Sequence, residues 1–598
     1  DGAIGIWAAN SGGGTGSVSV TVADGISLTV RGDGAGGIVG DASGGNVTIQ
    51  VGTGAITSIA GNDADTALVL PANVGILAMS SGGSVSVTSS ANVQASSAGL
   101  GAVESAGIGA TTSGAGTVTV ITTGVSATVG SDFGIVTQAE NGATIITVDG
   151  VVTGLAQDGI TAESTGGAIT ITNNNIVNGG TFGISAETDS GLITVNANDL
   201  VTSFTGTGID ANATAAGGAI DINTAAGATV TGTTGIGINT QTIDGLTTIT
   251  TDGAVFGAAG GIQSFSTSGV IDIETNDTVN SGLGKGVFAT TGGVGTIDLD
   301  INADVTAFAG GVVGSATGTG TVTINTAAGT AVTTTNNWGI LGATASGTLD
   351  IVANGTVSGA IGIAANSVSG NVFVDTLSTV TGTTGNGIVA SIGGGAGNLD
   401  IDVITGNVTG QTNGISASVL GSGTSNILAS SGATTIQGNT GAGITAVTNT
   451  GDNTVSTFGT VTGQTIGINA TSTSGNVLVS TGFGTTSGVT GDGVNAQTGG
   501  AGNVQVLLFG DTSGVQGVDA DVTGTGFGTV SGNDAGQVVT STAGDGIHLR
   551  TVSGTATVDL NNSAGSINAN GGDGIDVSTS GGGLIQIDSI RNIDASNG

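Results

Sequence analysis

The sequence predicts an all-β chain folded as a right-handed parallel β-helix, a β-solenoid with three short strands per coil and roughly 22 coils. Three observations predict it. A glycine followed by Ile or Val returns down the whole chain, at steps of about 23 to 29 residues from Gly107 onward. Between returns lie short runs that alternate apolar and polar residues, as in Ile297-Asp298-Leu299-Asp300-Ile301, the pattern of a strand with one buried face. The runs are separated by clusters of Gly, Ser, Thr and Asn, residues that turn a chain because Gly takes positive φ freely and Asn tolerates it.

Residues 387–413 show the unit. A first strand is expected over 387–390, a second over 399–403 and a third over 407–409, after which the pattern restarts at Gly414-Ile415-Ser416-Ala417. The same start falls at Gly5-Ile6, Gly37-Ile38, Gly75-Ile76 and Gly107-Ile108, then at Gly235-Ile236 among others, and last at Gly574-Ile575. At the ~4.8 Å spacing of paired strands this many coils would build one rod on the order of 100 Å long. Regularity divides the chain into irregular first coils (1–106), a regular β-helix (107–516) and C-terminal coils (517–598), with no linker between them. The early coils carry longer runs at 17–22 and 26–30 and a loop at 61–66. The stretch 521–535 has enlarged Gly-rich turns.

Composition excludes most alternatives. Gly makes up 120 of 598 residues without a collagen triplet and Pro occurs only at Pro71, while the β-branched runs supply a stack that a disordered linker lacks. Strong helix formers never cluster at helical spacing, so almost no helix is expected. Against 41 acids stand only Arg31, Lys285, Arg550 and Arg591, for a formal charge of −37. Such a surface repels phosphate backbones and anionic lipid, which argues against a nucleic-acid or anionic-membrane partner. Zero cysteines exclude disulfides and thiolate metal sites. The nearest approach to a membrane span, residues 67–79, is short and broken by Pro71 and Asn73.

The middle strand carries the clearest signal of a site. Alternation points its apolar residues inward and its carboxylates outward, at Asp298 and Asp300, Asp400 and Asp402, and Asp272 and Glu274. Neutral Thr coils such as Thr321-Val322-Thr323 are expected between the acidic ones to relieve repulsion. Two readings of this acidic face compete: a solvated face that keeps the protein soluble, or a cation-binding face on which Ca²⁺ bridges carboxylates of neighbouring molecules.

Other motifs point less far. Asp-Gly recurs at Asp24, Asp158, Asp492, Asp545 and Asp573, where Asp is expected to bond local backbone and Gly to supply positive φ. Gly571-Gly572-Asp573-Gly574-Ile575-Asp576 is similar to a calcium nonapeptide, but Ser578 stands where an apolar residue belongs. Arg31-Gly32-Asp33 spells an integrin-type tripeptide. Thr188-Asp189-Ser190-Gly191 resembles a serine nucleophile turn, yet the only histidine, His548, is far away in sequence. Asp298 and Asp300 have roughly the spacing of an inverting glycosidase pair. With no Tyr and only Trp7 and Trp338 for a sugar platform, no enzyme activity is expected.

The repeats GDGIHLRTVSGTATVDLNNSAGSINANGGDGIDVSTSGGG and NGIVASIGGGAGNLDIDVITGNVTGQTNGI resemble the passenger repeats of bacterial autotransporters, the type V secreted surface proteins. The resemblance covers nearly the whole chain at the level of repeat style. It implies export across the outer membrane, display at the bacterial cell surface, and an adhesive, aggregative or stalk role, with self-association or neighbouring surface components as partners. The first and last coils carry no evident cap, which raises a second expectation: a structural subunit of an extracellular filament or surface layer, assembling through its terminal coils.

Overall fold

The computed structural model describes residues 4–11, 15–31, 35–59, 73–96, 105–124, 126–532, 536–561, 565–589 and 591–595. Gly32 and Asp33 of the Arg-Gly-Asp tripeptide, the loop at 61–66 and Pro71 of the apolar run lie outside the described residues. Every regular element among the described residues is a β-strand. No helix among them is long and apolar enough to cross a membrane.

The fold is a β-solenoid of three parallel sheets with three strands in each coil. Contacts divide the chain into two compact units, Asp1–Gly295 and Thr296–Gly598, each built on the same plan. In the first unit, Phe133–Ala139 of the first sheet pairs in parallel with Ile160–Ser164, and that strand with Ile184–Thr188. In the second unit, the coil of Ile388–Ile392, Leu399–Val403 and Asn407–Gly410 stacks in register on that of Ile415–Val419, Ser425–Ala429 and Thr435–Gly438. These are the three strands the alternation predicts.

The core follows from the same alternation, with Ile388, Ile415, Ile444, Ile468, Val494, Val518 and Ile547 forming one fully buried column of the first sheet. Alanines 390, 417, 446, 470, 496 and 520 form the next inward column, which continues at Leu549. Each fully buried Ile or Val contributes about 1.5–3 kcal/mol relative to exposure, and the long unbroken columns make burial the main source of stability.

Corners explain the glycines. At the corner from first to second sheet, a Cβ on Gly347 or Gly370 would lie 1.9 Å from the carbonyl oxygen of the equivalent glycine one coil earlier, and on Gly423 1.7 Å. The coils pack there backbone on backbone, leaving no room for a methyl group. At Gly347 and Gly370, though not at Gly423, a buried Ser or Thr three residues earlier secures the turn, as it does at Gly475. Gly370 N–H and Gly475 N–H donate to Ser367 Oγ and Ser472 Oγ, both at 2.8 Å, while Thr498 Oγ1 donates to the Gly475 carbonyl at 2.6 Å. Asparagines at the end of the corner extend the stack: Asn398 N–H donates to Asn371 Oδ1 at 2.9 Å and Thr424 N–H to Asn398 Oδ1 at 3.0 Å.

Two expectations need correction. Ile209 pairs with Ile238, so that coil starts at Gly237-Ile238 rather than Gly235-Ile236. The segment reads Gly-Ile twice, and a slip of two residues preserves the alternation; the hydrogen bond from Asn239 Nδ2 to Asp210 Oδ1 at 2.6 Å belongs to the observed register. The Asp-Gly turns also work differently. Among these five glycines, positive φ is found only at Gly25. The carboxylates accept mainly from the backbone of the following coil, as Asp492 Oδ1 does from Gln516 N–H at 3.1 Å and Asp545 Oδ1 from Asp573 N–H at 2.7 Å.

Candidate functional site

Outward side chains of one sheet form columns along the coils, because register places equivalent strand positions side by side. The second sheet carries the acidic columns expected from sequence. Asp298 pairs with Thr323, and Thr323 with Asp350 on the next coil, whereas Asp300 pairs with Asn325, whose Nδ2 donates to Asp300 Oδ1 at 2.9 Å. Asp400 is capped in the same way by Asn426 at 2.8 Å. In the first unit Asp272 and Glu274 stand beside Thr248 and Thr250. Threonine does separate some carboxylates, but asparagine amides donate to others, and some acids stack with nothing between them.

On the second sheet Asp375 pairs directly with Asp402 and Asp559 with Asp588, with no neutral coil between them, and on the first sheet Glu163 pairs with Glu187. Burial, then repulsion from Asp400 and Asp375, raises the pKa of Asp402, and Asp402 Oδ1 is buried without a hydrogen-bond partner. Burial likewise raises Glu163, with Glu187 adding to it. Glu163 and Glu187 line an open groove of about 510 Å³ with Gln138, Glu140 and Asp189. The Thr188-to-Gly191 motif is a corner: Thr188 Oγ1 accepts from Gly191 N–H at 3.1 Å and donates to the Gly167 carbonyl at 3.3 Å.

A denser constellation lies on the first sheet of the second unit. Strands Val494–Thr498, Val518–Val522, Ile547–Thr551 and Ile575–Thr579 align Asn495, Asp519, His548 and Asp576 in one outward column. Gln497, Asp521, Arg550 and Ser578 form the next. His548 Nδ1 stands 3.3 Å from Asp545 Oδ2 and 3.3 Å from Asp576 Oδ2. Arg550 Nη2 donates to Asp521 Oδ2. Asp521 is only 6% exposed, and its Oδ1 is buried without a partner, as are Asn495 Oδ1 and Gln516 Oε1.

Charge is concentrated here. Burial first, then the neighbouring Asp521, pushes Asp519 up to about 6, with His548 and Arg550 opposing. Burial also raises Asp492 against the hydrogen bond from Gln516 and the pull of His548. One ligand atom each from Asp519, Asp521 and His548 lies within 4.8 Å of the others, and so does one each from Asp545, His548 and Asp576. Among the described residues these are the groups of three or more metal-ligating side chains that come this close. None of the six carboxylates expected to bind cations belongs to either. The signal for the observed cluster was in the repeat: counting one residue on from Ile or Val after Gly517, Gly546 and Gly574 gives Asp519, His548 and Asp576.

Apolar side chains emerge at the corner between the second and third sheets. Phe458 directly follows the strand Asn453–Thr457 and is 44% exposed, Phe483 follows Val477–Thr481 by one residue and is 74% exposed, and Phe509 follows Val504–Leu508. Compared with protein-family models, curated proteins and solved structures, the chain matches none of them.

Proposed function

We propose that the protein is a bacterial cell-surface β-solenoid that acts in adhesion or aggregation, in the manner of an autotransporter passenger. The observation that carries this reading is the contrast between strand faces and corners in the second unit. The outward strand positions are mostly Asp, Asn, Ser and Thr, which favour water, with Phe373, Leu428, Leu478 and Leu507 half-buried among them, while exposed Phe458 and Phe483 and half-buried Phe509 occupy one corner on consecutive coils. Exposed apolar groups rimmed by polar ones mark contact surfaces. The acidic faces oppose association at low salt and less so when screened. On this reading Asp298 and Asp300 keep the surface solvated rather than perform chemistry.

The test is settling of bacterial cells that display the chain, compared with the Phe458→Ser/Phe483→Ser variant at equal surface density. Cells bearing the wild-type chain are expected to settle, faster as salt rises from about 50 to 500 mM, and cells bearing the variant to settle more slowly. Absence of settling at every salt concentration, or equal settling of the two, rejects the proposal.

A further inference from the structure

We propose that Asp519, Asp521 and His548 bind one divalent transition-metal ion of the zinc class, an inference that does not depend on the adhesive reading. Three donors from two adjacent coils converge, one imidazole nitrogen and two carboxylate oxygens, mutually within 4.8 Å. Metal–nitrogen and metal–oxygen bonds of about 2.0–2.2 Å set ligand atoms about 3.4 Å apart around a tetrahedral ion, a closure that side-chain rotation supplies. Asp519 and Asp521 flank Ala520 on one strand and project to the same side, and register sets His548 beside Asp519.

A second observation points to a ligand. Asp521 is 6% exposed and its Oδ1 has no partner, a state that costs about 1–3 kcal/mol, and more for a charged oxygen, unless something binds it. Arg550 occupies the other oxygen of the same carboxylate, which fixes its orientation and leaves Oδ1 available. Asn495 Oδ1, beside Asp519 on the preceding coil, is also buried and unpartnered and offers a neutral fourth oxygen.

The surroundings suit a metal-bound histidine. Asp545 and Asp576 both approach His548 Nδ1, so an Nδ1–H donated to them orients the ring and leaves Nε2 for the ion, the usual carboxylate–histidine–metal arrangement. Arg550 opposes a cation, but Asp492, Asp519, Asp521, Asp545 and Asp576 outnumber it around His548. A ligand set of one imidazole and two carboxylates selects Zn²⁺, Co²⁺ or Ni²⁺ rather than Ca²⁺, which takes six to eight oxygens.

The experiment uses the tag-free, metal-stripped full chain, titrated with Zn²⁺ by calorimetry and with Co²⁺ by visible absorption. One ion per chain is expected, with a nitrogen-ligated Co²⁺ spectrum and little competition from millimolar Ca²⁺. His548→Gln should weaken Zn²⁺ binding by roughly 100-fold and Asp521→Asn by at least about ten-fold, while Asp298→Asn/Asp300→Asn leaves it unchanged. Melting curves in chelator establish that each variant is folded, and His548→Asn is a second variant should His548→Gln not fold. The proposal is overturned by no binding up to about 1 mM Zn²⁺, by undiminished binding in a folded His548 variant, or by loss in Asp576→Asn with none in Asp521→Asn. The last result would move the ion to the other triad.

Discussion

Replacing Gly423 by Ala tests the backbone-on-backbone corner. The new Cβ would stand 1.7 Å from the Gly397 carbonyl oxygen and 2.6 Å from its carbon, whereas real Cβ contacts essentially never fall below 3.0 Å. The two coils must therefore part by more than 1 Å at this corner. Three backbone N–H groups donate between them there: Leu399 N–H to the Thr424 carbonyl at 2.9 Å, Ser422 N–H to the Gly395 carbonyl at 2.8 Å, and Thr424 N–H to Asn398 Oδ1 at 3.0 Å. At about 1 kcal/mol each their loss costs about 3 kcal/mol, and residual overpacking adds about 1 kcal/mol or more. Because a repeat stack can open locally, the assay is amide hydrogen exchange at Leu399 and Ser422, whose protection should fall by roughly 100-fold or more. Gly329→Ala is the control. Gly329 has φ +86° with nothing within 4 Å of an added Cβ, so only left-handed strain of about 1–2 kcal/mol is added. Unchanged protection in Gly423→Ala, or a larger loss in Gly329→Ala, would refute the reasoning.

Two further predictions concern buried polar groups. Ser367→Ala removes the acceptor of Gly370 N–H and the partner of Thr344 Oγ1 at 3.1 Å; a loss of about 1–3 kcal/mol is expected, and Ser367→Thr, the residue used at Thr344 and Thr498, should largely restore the melting midpoint. Asp402→Asn tests the stacked acids. Its folded pKa is raised above 3.8, so the folded state holds the proton more tightly and the wild type loses stability as pH rises through the carboxylate range. The Asn variant should therefore melt higher than wild type at pH 7 and no higher near pH 3, where both states are protonated; a constant difference at both pH values would assign the effect to packing.

Strand placement was legible because alternation has a period of two and the Gly-Ile start repeats, so 399–403 coincides with a strand of the fold. The start at Gly237 was not, since Gly235-Ile236 and Gly237-Ile238 satisfy the same pattern. The corner rule was hidden for another reason. Ser or Thr three residues before Gly is common in a chain this rich in all three, and only the 1.7–2.4 Å approaches between corners separate a required glycine from a tolerated one. The acidic face was read correctly as outward, but which acids stack on which depends on register across coils. Asp375 beside Asp402 and His548 between Asp519 and Asp576 are neighbours that no local window contains. Along the chain His548 offers Ser190 no partner, because its neighbours lie on the adjoining strands.

The glycine corners invert the usual ranking of severity among mutations. In the regular stretch a coil pairs with the coils before and after it, through positions repeated in both, so excising one whole repeat there rejoins surfaces that already match. One added methyl group at Gly423 matches nothing. Lineages of such a chain would then be expected to differ more readily in their number of coils than in their corner glycines, with length the variable character and the corner the fixed one.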